Sequence, residues 1–215
     1  MVKYDKPSYT GNFEDQVDYV KPALLVVDMQ KAYLESAPGE YTQEIATMIA
    51  RSRDMVDAFR AHGWPVIFTC FESNNHCKNL NRRHYPNHRD LDEGGKRLCF
   101  AGTRGIECVD ELKPLEGELQ FNKLGYDAFY GTCLEYCLRT QGIKTLVIVG
   151  ILTDMCIAST VSTAFHYEYG VVVPSDCTRA FTPARTDAYL ICFDEAYGAV
   201  RPSNEVIELL ERANK

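Results

Sequence analysis

The chain has 215 residues, 46% of them apolar and 25% charged, with a formal net charge of −7. That length suits one domain around a single substantial core, and the composition excludes disordered and fibrous classes. The acidic balance argues against a phosphate backbone as partner, no apolar run approaches the roughly 20 residues of a membrane span, and the opening MVKYDKPSYTGNFEDQ is too polar for a signal peptide, so a cytoplasmic protein with neither nucleic-acid nor membrane partners is expected.

Ala23 to Asp28 (ALLVVD) and Pro65 to Cys70 (PVIFTC) read as two short, apolar, β-branched strands, with helical sequence from about Glu44 to Ala61 between them. This is a βαβ unit and implies a parallel sheet. From Phe71 to about Arg104 the sequence becomes rich in Asn, His, Arg, Asp and Gly, a long excursion of the kind that tends to be functional. The alternation then resumes: ELQFNK (118–123), a helix over about 132–140, KTLVIVG (144–150), a helix over about 154–169, and VVVP (171–174). Gly142 and Gly170 stand where helices turn into strands. Thr182 followed by Pro183 marks a helix start, and Ser203 is placed to cap a final helix over 205–212. Strands this apolar suit burial on both faces. The expected fold is an open, mostly parallel sheet in a three-layer α/β/α sandwich, one domain over 1–215.

Nine cysteines are present. Their number is odd and no secretory signal is expected, so they read as small core residues rather than a disulfide framework, with room for one reactive exception.

Ligands of open α/β sheets bind beyond the carboxyl ends of the strands. Asp28 closes the first strand, Lys123 closes the FNK strand, and Cys156 follows VIVGILTD at the start of a helix. A thiol in the first helical turn sees the positive end of the macrodipole, so its pKa is expected to fall, the more so beside a lysine. Position alone leaves the plain alternatives open: Cys156 as another buried small residue, Asp28 as a helix cap or turn residue, and Lys123 as a solvated charge.

ALLVVDMQKAY (23–33), FNKLGYDAF (121–129) and VIVGILTDMCIASTVSTAFHYEYGVVVPSDC (147–177) resemble the three signature blocks of the isochorismatase-like hydrolases, a resemblance running from about residue 22 to 200. The third block is specific in order and spacing; the first two are weak singly. The resemblance implies a catalytic triad of Asp28, Lys123 and Cys156, with Asp28 as general base and acid and Lys123 fixing the charge balance. It also implies a cis peptide at Ile151–Leu152, with the backbone N–H groups of Leu152 and Cys156 serving as the oxyanion hole. Nicotinamidases of this family carry a D-W-H metal motif after the second strand. This chain reads T-C-F-E-S-N-N there, so neither a metal nor another cofactor is expected. His76, Cys77, His84 and His88 in the excursion match no recognised ligand pattern and read as solvated loop residues.

The opening block looks most like the carbamoylsarcosine and maleamate amidase group. The implied activity is therefore metal-independent hydrolysis of a C–N bond in a small amide, carbamoyl or ureido compound through a thioester. Tyr33, Phe71 and Phe129 are expected to line the substrate pocket, and a homo-oligomer, dimer or tetramer, is expected by analogy. Two alternatives are weighed against this. Vinyl-ether cleavage of the isochorismatase type is disfavoured because members with that activity lack the cysteine. A non-catalytic binding protein on the same fold is disfavoured because no triad member is missing.

Overall fold

A computed structural model describes residues 17–35, 42–74 and 98–215. The strands β1 (Pro22–Val27), β2 (Val66–Phe71), β3 (Leu119–Lys123), β4 (Thr145–Ile151), β5 (Gly170–Pro174), β6 (Thr178–Arg179) and β7 (Ala199–Arg201) form one sheet in the order β3-β2-β1-β4-β5-β7, with β6 paired to β4. Every pairing is parallel. The helices are α1 (Lys31–Leu34), α2 (Gln43–Ala61), α3 (Leu134–Thr140), α4 (Ala158–His166), α5 (Pro183–Ala196) and α6 (Ser203–Ala213).

Side-chain alternation along β1 explains the layering. Leu24 and Val26 join one apolar cluster with α2 and α6, while Ala23, Leu25 and Val27 join a second with α3, α4 and α5. Successive strand residues point to opposite faces, so a strand apolar throughout is covered on both sides. Each leucine or valine so buried contributes roughly 1.5–3 kcal/mol. The three-layer sandwich with an open parallel sheet, as read from the sequence, is the observed architecture.

Particular elements differ from expectation. β3 is not covered on both faces: it is an edge strand in which Gln120 and Asn122 are exposed while Leu119, Phe121 and Lys123 turn inward. The helix expected over 154–169 begins instead with a π-helical turn, Thr153–Ile157, before α4. Thr182 caps α5 by accepting a hydrogen bond from the Arg185 amide, with Pro183 in the first turn. Ser203 does not cap α6; it is the first residue of that helix, and its amide and hydroxyl donate to the two oxygens of Asp176 at 2.9 and 2.8 Å. The cap is supplied from the loop after β5, a partner 27 residues away that local pattern does not reveal. Gly142 adopts the left-handed conformation expected after α3, whereas after α4 that conformation falls on Glu168 and Gly170 opens β5. Among the described residues no helix is long and apolar enough to cross a membrane.

Candidate active site

Asp28, Lys123 and Cys156 meet at the carboxyl edge of the sheet. Asp28 follows β1, and its amide donates to the Thr69 carbonyl of β2 at 3.0 Å. Lys123 ends β3, where the inward side of this edge strand carries its ammonium under the sheet edge to Asp28 Oδ2, 2.6 Å away. A second bond runs from Lys123 Nζ to the Gly125 carbonyl at 3.0 Å. Cys156 lies in the π turn after β4 and is within side-chain hydrogen-bonding reach of both Asp28 and Lys123. Asp28 and Lys123 are each 1% exposed and Cys156 8%, which excludes a solvated charge as the reading of Lys123. A buried ion pair of this kind persists when charge and geometry match; breaking it by removing one partner costs about 3–5 kcal/mol.

The electrostatics correct one expectation. Burial pushes the Cys156 thiol well above its ordinary value, and the Asp28 carboxylate pushes the same way, against a smaller opposing pull from Lys123. The helix-end argument predicted a lowered pKa. Its field is weak beside the loss of water around a sulfur sealed between the strand ends, and in a π turn the thiol is not set on a regular α-helical N-terminus. Burial also disfavours a charged Lys123, but the attraction of Asp28 works against it, and the lysine ends above its usual value.

The Ile151–Leu152 peptide is cis. The π turn is tied to the sheet by Thr153, whose hydroxyl lies 2.9 Å from that of Thr178 on β6. Two residues that sequence reasoning passed over belong to this surrounding. Thr69 donates its hydroxyl to Asp28 Oδ1 at 3.1 Å, orienting the carboxylate. Gln30, completely buried, accepts from the Phe71 amide at 2.8 Å and donates to the Phe71 and Ile106 carbonyls at 2.9 and 3.1 Å. The D-x-Q spacing after β1 was the available signal for Gln30; for Thr69 the signal lies only in the β1–β2 register, Val27 opposite Thr69.

Of the expected lining residues, Phe71 is buried with its ring centroid 5.5 Å from Lys123 Nζ. Phe129 belongs to the same apolar cluster as Cys156 and lies against Tyr167 and Tyr169. Tyr33, on α1, is half-buried against the cluster on the other face of the sheet. His76, Cys77, His84 and His88 fall outside the described residues. The eight described cysteines are free thiols; Cys70, Cys99, Cys108, Cys156 and Cys177 are buried, while Cys133 and Cys192 are exposed.

Residues 22–205 match the isochorismatase domain model. The chain is 31% identical over 200 residues to the ureidoacrylate amidohydrolase RutB of Methylorubrum extorquens, covering 82% of this chain and 77% of that protein. The structure is similar to the crystal structure of N-carbamoylsarcosine amidase from Thermoplasma acidophilum, with a TM-score of 0.69 and 30% identity over 85% of this chain and 96% of that one. It is also similar to a cysteine hydrolase from Pseudomonas syringae pv. phaseolicola, with a TM-score of 0.79 and 25% identity over 92% and 96% of the two chains. With the domain model matching residues 22–205 and the Methylorubrum relative 31% identical over 82% of the chain, the chain belongs to the isochorismatase family.

Proposed function

We propose that the protein is a cysteine amidohydrolase that cleaves a C–N bond of a small carbamoyl, ureido or amide compound without a metal. The observation that carries this reading is the buried meeting of Asp28, Lys123 and Cys156, with the lysine ammonium 2.6 Å from the aspartate. Relatives named as ureidoacrylate amidohydrolase and N-carbamoylsarcosine amidase support the substrate class.

In the proposed reaction Cys156 passes its proton to Asp28 and its sulfur attacks the substrate carbonyl carbon. The negative charge moves to the carbonyl oxygen, which the backbone N–H groups of Leu152 and Cys156 receive as an oxyanion hole. Collapse breaks the C–N bond, and Asp28 returns the proton to the departing nitrogen. The thioester left on Cys156 is then attacked by water, whose proton Asp28 takes, releasing an acid or carbamate and restoring the thiol. Lys123 holds the compensating positive charge throughout. Phe71 offers an apolar wall beside the lysine.

Incubation with a panel of primary amides and ureido acids, followed by ammonia release, tests the activity. Cys156→Ser should fold and lose at least about 10²-fold in kcat/KM, because a serine hydroxyl is far less readily ionised. A serine variant close to wild type would overturn the assignment. A binding protein on this fold would release no ammonia from any member of the panel.

A further inference from the structure

The turn that carries Cys156 contains a second buried acid that the proposed reaction does not use. The Asp154 side chain is 1% exposed, and neither of its carboxylate oxygens has a hydrogen bond of ordinary geometry among the described residues. Its charge is met by Arg185 Nη2, which lies against Oδ2 as an ionic contact rather than an aligned hydrogen bond. The partners are unequal: the arginine side chain is 44% exposed, on the first turn of α5, and α5 packs directly against the π turn. An acid buried inside a turn next to a nucleophile is costly unless a counter-charge is delivered to it. Here that charge arrives from a different element.

We propose that Asp154 and Arg185 form a positioning pair for the nucleophile: the ionic contact clamps α5 onto the π turn and so fixes where Cys156 lies relative to Asp28. The proposal rests on reading Cys156 as the nucleophile. Neither residue touches the reacting atoms. Thr153, bonded to Thr178 on β6, anchors the start of the turn to the sheet, and Asp154 anchors its outer side to α5. Met155 and Ile157 both donate backbone bonds to the Leu152 carbonyl, so movement of the turn moves Leu152 and Cys156 together.

The charged groups around the turn are Asp28 from the end of β1, Lys123 from β3, Arg179 of β6, itself paired with Glu44 of α2, and the Asp154–Arg185 pair. Withdrawing Arg185 leaves an uncompensated carboxylate two residues from the thiol. That charge opposes thiolate formation and can be relieved only by protonation, by water entry or by the turn moving outward.

The test is a double-mutant cycle with two readouts on the intact protein. Arg185→Ala should lower kcat/KM by at least about tenfold, with the loss in kcat and KM little changed. The pH midpoint for alkylation of Cys156 by iodoacetamide, followed by mass spectrometry of its peptide, should move up by about half a pH unit or more. Asp154→Asn should cost less, since it strands only a charge that water already reaches. The double variant should match Asp154→Asn instead of multiplying the two losses, because residues acting as a unit are not additive. Arg185→Lys, which keeps the charge without the planar fork, should fall between wild type and Arg185→Ala, and it carries the test should the alanine variant not fold.

Wild-type kinetics and alkylation in Arg185→Ala, or losses that multiply in the double variant, would overturn the clamp. Full turnover by Cys156→Ser would remove the nucleophile itself; an inactive serine variant beside an unimpaired Arg185→Ala would remove only the clamp.

Discussion

Asp28 holds a left-handed backbone, φ +52°, just past the end of β1, and its side chain is gripped from two sides by Thr69 and Lys123. Aspartate and asparagine are the non-glycine residues that tolerate this region best, so Asp28→Asn keeps both the backbone and the bond from Thr69 while losing the proton acceptor. The expected outcome is a fall in kcat/KM of about 10²–10⁴-fold with a native circular dichroism spectrum. Equal kinetics in the two proteins would return Asp28 to the role of a turn residue. The three candidate side chains were legible chiefly through the family resemblance of the blocks that carry them, since their positions near strand ends left plain structural readings open. The direction of the Cys156 shift was not legible, since it depends on burial assembled from β1, β3 and the π turn, and the helix-end argument sees only neighbours along the chain.

The element that sets Cys156, the proposed nucleophile, is β4 with the turn that follows, and its placement depends on Gly150. At φ +120° this residue brings the backbone so close to β1 that a Cβ would stand 2.0 Å from the Val27 carbonyl oxygen, on the residue preceding Asp28. Nothing flexible can give way there, so Gly150→Ala should cost at least about 3 kcal/mol and yield a protein that melts far below wild type or does not accumulate. Gly142→Ala is the control: its φ is +69° but nothing lies within 4 Å of the added carbon, so it should cost only about 1 kcal/mol. Similar melting curves for the two variants would refute the close-approach argument. The long strands were readable because an apolar β-branched run bounded by turn residues has few other interpretations. β6, β7 and α1 were not, because two to four residues carry no measurable period. The π turn was invisible for a different reason: TDMCI is unremarkable as helical sequence, and its contacts to Thr178 and Arg185 reach residues later in the chain.

The two outer faces of the sandwich differ, and the difference bears on assembly. Large apolar side chains left exposed on the helices gather on one layer: Tyr136 on α3, Phe165 at the end of α4 with Tyr167 just after it, and Tyr189 on α5. Among the described residues α2 and α6 themselves carry no exposed large apolar side chain, the exposed Leu115 beside α2 lying in the loop before β3. Single exposed aromatics are ordinary, but several on one layer of a chain with net charge −7 are a feature that association would cover. We therefore expect a homo-oligomer that buries the α3, α4 and α5 face, the aromatic rings supplying area at low entropic cost while the acidic remainder keeps the assembly soluble. A symmetric dimer would place the same face of each copy against the other, so that each substitution acts twice. Sedimentation equilibrium at micromolar concentration should give a multiple of the chain mass. Phe165→Glu combined with Tyr189→Glu should shift it to the monomer while leaving the helical spectrum intact, because both side chains are partly exposed on the helix surfaces. A monomeric wild-type protein would overturn the expectation, and an oligomer indifferent to both charges would move the interface to another face.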